Sequence, residues 1–97
     1  AHPSPGLHHK HYAPRTPAVR VQGGALPQGR VAYLWWQTPA NAAVSIQLPA
    51  DPAGYARELY NVLLEADRAG VDLIAVEATP TGPEWTAIED RLRRALQ

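Results

Sequence analysis

A small α/β domain carrying an extended N-terminal arm is the architecture that the sequence predicts, and three observations predict it. Residues 1–17 hold Pro3, Pro5, Pro14 and Pro17 and show no apolar period. Each proline fixes its own φ and biases its predecessor towards extended backbone, so this stretch reads as an arm. From residue 43 onward an alternating segment, a helical rhythm, an apolar run and a second helical rhythm follow one another. That is the pattern of a βαβα unit with parallel strands. Two further β-rich segments, Ala18–Gln22 and Arg30–Trp36, lie between the arm and that unit. The expectation is a sheet of about four strands with helices packed on it over residues 18–97, behind an arm over residues 1–17.

The elements follow in order. Ala18–Gln22 (AVRVQ) alternates and stops at Gly23-Gly24. Arg30–Trp36 (RVAYLWW) is rich in β-branched and aromatic residues and reads as a strand. Gln37–Ala42 contains Pro39 and Asn41 and reads as a loop. In Ala43–Leu48 the side chains of Val44, Ile46 and Leu48 share one face. Asp51-Pro52 opens a helix, with aspartate as the cap and proline at the first helical position. That helix runs to about Ala69 and is stopped by Gly70. Its apolar side holds Ala56, Leu59, Tyr60, Leu63 and Ala66, and its polar side Arg57, Glu58, Asn61, Glu65 and Arg68. Val71–Ala78 is nearly all apolar, as a buried parallel strand is. Residues 80–84 open a last helix reaching about Leu96, with Trp85, Ile88, Leu92 and Ala95 as its buried stripe. Glu89–Arg93 and Asp90–Arg94 have the spacing of ion pairs along that helix. The connections Gly23–Gly29 and Gln37–Ala42 are shorter than the roughly dozen residues of a usual parallel crossover. The first half of the sheet is therefore expected to be antiparallel or irregular.

Composition narrows the function classes. The 97 residues make one domain at most, and Lys+Arg and Asp+Glu balance at nine each. That balance argues against a general nucleic-acid binder. The charges are unevenly spread: residues 1–50 hold Lys10, Arg15, Arg20 and Arg30 and no acid, whereas residues 51–97 hold five Arg and nine Asp or Glu. The positive half, which also holds all four His, is expected to face something anionic or to dock on its own acidic domain. There is no Cys, which excludes disulfides and thiolate metal sites. No apolar run approaches the roughly 20 residues of a membrane span, and the start is not a signal peptide, so a cytoplasmic location with no membrane partner is expected. The chain contains no Met, as a processed chain or a piece of a longer one would. Many Arg and Ala against one Lys resemble the coding bias of a GC-rich bacterium.

Motifs that carry chemistry are sparse. Gly23-Gly24 is not a phosphate loop. His2, His8, His9 and His11 cluster, but their spacing fits no familiar metal site, and a proline-rich arm offers no rigid geometry, so no structural metal is expected. Glu77 and Thr79 stand at and just beyond the end of a buried strand, where α/β sheets place ligand groups. They define a possible sheet-edge ligand site, and with it the alternative of a standalone ligand-binding module without catalytic activity. For Glu77 the competing expectation is a cap on a neighbouring loop. Trp35, Trp36 and Trp85 are expected in the core or in domain contacts rather than in a base-stacking platform.

The arm carries one long pattern of uncommon residues. Residues 4–17 (SPGLHHKHYAPRTP) resemble the interdomain linker of two-domain threonylcarbamoyl-AMP synthases, S-P-G-M-K-Y-[RK]-H-Y-A-P-x-x-P, and match it at Ser4, Pro5, Gly6, Lys10, His11, Tyr12, Ala13, Pro14 and Pro17. Leu7 stands in place of the family Met, and His8-His9 in place of Lys-Tyr. Residues 55–60 (YARELY), residues 65–74 (EADRAGVDLI) and residues 87–95 (AIEDRLRRA) are similar to motifs of that family's C-terminal domain, with Asp90 where the family has Asn. The resemblance implies a Rossmann-like C-terminal domain behind a linker that crosses the cleft of a YrdC-like catalytic domain of the same polypeptide. It implies a parent nucleotidyltransferase that condenses L-threonine, bicarbonate and ATP, with Mg2+, into threonylcarbamoyl-AMP and pyrophosphate for the tRNA threonylcarbamoyladenosine pathway. Ser4, Pro5, Gly6, Lys10, His11, Tyr12 and Pro14 would cover the ligands. No catalytic residue and no cofactor is expected on this chain alone.

Overall fold

The computed structural model describes residues 12–96. Its elements are β1 (Ala18–Val21), β2 (Val31–Trp35), β3 (Val44–Gln47), α1 (Pro52–Asp67), β4 (Leu73–Glu77), a 3-10 turn (Pro83–Trp85) and α2 (Thr86–Ala95). The four strands form one sheet in the order β1-β4-β2-β3. Every pairing is parallel: Ala18 lies opposite Ile74, Ala32 opposite Ile74 from the other side, and Ala32 opposite Val44. This is the expected α/β sheet of four strands with two helices.

The expectation of an antiparallel or irregular first half is overturned. A usual parallel crossover is long because it contains a helix, and neither the segment after β1 nor that after β2 has one. Strands of four or five residues span only about 13–17 Å, and eight extended residues reach up to about 28 Å. Residues 36–43 therefore retrace β2 without a helix, and residues 22–30 step from β1 across β4 to β2.

Strand alternation divides the core into two. Ala32, Leu34, Ile74 and Val76 face α1 and α2 and pack with Leu48, Tyr55, Leu59, Leu63, Trp85, Ile88 and Leu92. Val21, Val31, Tyr33 and Ala75 face the other way and are covered by loop residues such as Leu26, Ala40 and Ala42. Both helices thus lie on one face, and loops close the other. Tyr33 ties that loop layer together: its hydroxyl lies 2.5 Å from the Gly23 carbonyl and 2.6 Å from that of Thr38. The buried side of α1 is Tyr55, Leu59, Val62, Leu63 and Ala66, with Ala56 and Tyr60 only half covered. The α2 stripe of Ile88, Leu92 and Ala95, preceded by Trp85, is buried as expected. Its expected ion pairs are not formed as spaced: Asp90 pairs with Arg93 at 3.0 Å, and Glu89 turns inward to Arg20 at 2.9 Å.

The start of α1 depends on one close approach. Asp51 caps the helix by accepting the Gly54 N–H at 2.7 Å. A Cβ at Gly54 would stand 2.8 Å from Asp51 Oδ1 and 2.9 Å from the Pro49 Cβ. Gly54→Ala is therefore expected to lower stability by about 1–2 kcal/mol, although alanine favours a helix interior by about 1 kcal/mol. Thermal unfolding checks this: the midpoint should fall rather than rise.

Candidate functional site

The arm joins the domain at the C-terminal turn of α1, and the joint is one carboxylate. Asp67 Oδ2 accepts the Tyr12 hydroxyl at 2.6 Å and the Arg15 N–H at 3.1 Å. Asp67 Oδ1 accepts the Thr16 N–H at 2.9 Å and the Thr16 hydroxyl at 2.8 Å. One helical face supplies the rest, because Tyr60 lies seven residues before Asp67 and meets the Tyr12 ring edge-on at 5.4 Å. A carboxylate at a helix C-terminus faces the unfavourable end of the helix dipole. Burial raises its pKa further, but the bonds from Tyr12, Thr16 and Arg15 outweigh this and hold Asp67 at about 2. Burial, and after it the same contact with Asp67, pushes the Tyr12 phenol above its ordinary value. Directly after the joint, the Pro17 carbonyl accepts the Ile74 N–H at 2.8 Å, so the arm runs straight into the sheet ladder.

The structure thus gives Tyr12 a carboxylate partner within its own chain. Pro14 is half-buried beside the joint. Ser4, Pro5, Gly6, Lys10 and His11, like His2, His8 and His9, lie outside the described residues.

The sheet-edge pair separates into two roles. Glu77 is 4% exposed, and its Oε1 accepts the N–H groups of Trp36, Gln37 and Thr38 at 2.9, 3.0 and 3.3 Å. Burial acts to raise its pKa, and these bonds outweigh burial and hold it below the ordinary carboxylate value. Glu77 therefore caps the turn after β2. Trp36 closes the same corner, its indole N–H donating to the Ala78 carbonyl at 2.8 Å. Thr79 faces a groove of about 430 Å³ between the end of β1 and α2, which Glu77 does not line. There its hydroxyl donates to Glu89 Oε2, while Arg20 holds Glu89 Oε1.

The family motifs acquire physical roles in this geometry. Within residues 65–74, Asp67 holds the arm, and Asp72 accepts the Arg30 N–H at 3.1 Å at the mouth of β2. A family model described as "Threonylcarbamoyl-AMP synthase, C-terminal domain" matches residues 1–96. The chain belongs to this family. No curated protein and no solved structure matches it. As a threonylcarbamoyl-AMP synthase C-terminal domain, the chain has a role in making the threonylcarbamoyl-AMP used in tRNA modification.

In this C-terminal domain, sequence reasoning missed Asp67, Arg20 and Glu89 as site residues. Asp67 stood inside a quoted motif, but nothing local shows that its partners lie over 50 residues upstream. Arg20 had a visible signal, a charge inside an otherwise apolar short strand. Among the described residues no group of three or more His, Asp or Glu comes together that could hold a metal ion. Nor is any helix among them long and apolar enough to cross a membrane.

Proposed function

We propose that this domain is the lid-bearing module of a threonylcarbamoyl-AMP synthase, in which the arm closes over the cleft of a YrdC-like catalytic domain of the same polypeptide. The observation that carries it is the four-bond joint on Asp67, which fixes the root of the arm to α1. With the chain fixed at Tyr12, the eleven residues before it reach at most roughly 40 Å from a defined origin. A lid with a fixed root and with Pro3 and Pro5 along its length loses less entropy on closing than a free one. Lys10 and His11 bring donors suited to phosphate and carboxylate oxygens. Covering the site excludes water from a carbamate and a mixed anhydride that it would hydrolyse. ATP, L-threonine and bicarbonate bind to the catalytic domain in this scheme, and this chain contributes closure and docking.

The test is pyrophosphate release dependent on threonine and ATP. It should be absent from this chain alone and present when the YrdC-like domain precedes it. Deleting residues 1–17 from the joined protein should lower it at least about tenfold, the scale of losing one or two charge-assisted contacts. Unchanged release after that deletion would remove the lid role.

A further inference from the structure

One stripe of α1 serves two surfaces. Tyr60 and Asp67 hold the arm, and Ala56, four residues before Tyr60, lies on the same face. Ala56 is also one wall of a groove of about 330 Å³, whose other lining residues, Ala87, Ile88, Asp90, Arg91 and Arg94, belong to α2. The groove therefore starts about one helical turn, roughly 6 Å, from the residue that meets the Tyr12 ring. It continues the surface on which the arm is rooted.

The charges along this groove are unbalanced. Its one acid, Asp90, pairs with Arg93 at 3.0 Å. Arg91 donates to the Ala56 carbonyl at 3.2 Å, which links α2 to α1, but it meets no carboxylate among the described residues. Arg94 is exposed and has no partner among them. Three residues apart on one helix, the two arginines stand about 5–6 Å from each other. Two cations one turn apart, beside Ala87 and Ile88, complement a segment that presents two carboxylates around a small apolar side chain. The arm is not that segment, because residues 1–11 carry Lys10 and four His and no acid.

We propose that the α1–α2 groove docks an acidic segment of the YrdC-like catalytic domain, with Arg91 and Arg94 taking its carboxylates. This rests on the reading that such a domain precedes the arm. The groove lies well inside the arm's reach of roughly 40 Å, so a domain at the arm's far end can turn back onto it. The contact is small and would be weak between separate molecules. A short tether raises the effective concentration to about the millimolar range, and a weak contact is then occupied. Docking beside the root would also fix the direction in which the arm leaves the domain.

The test uses the joined synthase. Arg94→Lys keeps the charge and places a primary amine at the groove, in a chain whose one other lysine is Lys10. A carbodiimide couples such an amine to a carboxylate in contact with it, and mass spectrometry identifies the link. An intramolecular link from position 94 to an Asp or Glu of the catalytic domain is expected. Adding Arg91→Glu should cut its yield about tenfold, as setting like charges opposite each other does. Ala87 is exposed, so Ala87→Trp fills the groove without entering the core and should cut the yield comparably. A link confined to α2 itself, as an RNA partner or an unused groove would give, overturns the proposal. So does a link to a second copy of the chain, or a yield that neither Arg91→Glu nor Ala87→Trp alters. The two readings fail separately. Pyrophosphate release that needs residues 1–17, with no interdomain link, would leave the lid and remove the docking. A link with release indifferent to those residues would do the reverse.

Discussion

Glu77→Ala is expected to cost the domain about 3–4 kcal/mol, among the largest effects of any single polar substitution in it. One oxygen of Glu77 accepts three consecutive N–H groups, those of Trp36, Gln37 and Thr38. Truncation strands all three at a half-buried corner, and only part of that loss is recovered by water. The damage would spread, because Thr38 also offers its carbonyl to the Tyr33 hydroxyl, which joins the two loops covering the second face of the sheet. Glu77→Gln keeps the volume and one acceptor oxygen but loses the charge, so about half that cost is expected. Urea unfolding of the three proteins measures this. The pH dependence has a definite sign. The folded-state pKa of Glu77 is depressed, so its contribution is complete above the ordinary glutamate value and fades as pH falls through the folded value. Wild-type stability should therefore drop more steeply in acid than that of Glu77→Gln.

The same residue shows why the site was only partly legible in the sequence. A carboxylate at the end of an apolar strand fits both a ligand group and a loop cap. The choice rests on residues about 40 positions away, and local spacing carries no information about them. Local patterns did reveal what local physics determines: the Asp51 cap, the α2 stripe of Ile88, Leu92 and Ala95, and the apolar β4. They did not reveal that β1 and β2 run parallel, because parallel connections are usually long and these two cross short strands without helices. The turn of Glu89 towards Arg20 was hidden for a related reason. The i,i+4 rule describes an isolated helix, and here a guanidinium from the sheet competes with Arg93 and wins.

Asp67→Ala is expected to separate the two halves of the chain while leaving the domain folded. The side chain is half-buried at the end of α1, and its four partners all belong to residues 12–16. Removing it takes nothing from the sheet or from the packing of Leu59, Leu63 and Leu92. A loss of about 1–2 kcal/mol in global stability is expected, with a larger local effect. The Thr16 amide should exchange with solvent about ten- to a hundredfold faster, and a trypsin-like protease should cut after Arg15 sooner. Asp67→Asn should fall between, because its one carbonyl oxygen can keep both Thr16 bonds while its amide nitrogen cannot accept from Tyr12. Tyr12→Phe removes a single bond and should have the smallest effect of the three. The folded-state pKa of Asp67, about 2, lies below its ordinary 3.8, so the joint is fully formed above pH 4 and is lost as pH falls towards 2. Chemical shifts of the Arg15 and Thr16 amides should report that transition in the wild type and be flat in Asp67→Asn. In the joined synthase the arm would then close from an unfixed root. Pyrophosphate release should fall about tenfold in Asp67→Ala and less in Asp67→Asn, in the same order as the amide exchange rates. If release were unchanged while exchange at Thr16 rose, the joint would serve the fold alone, and the lid would not depend on its root.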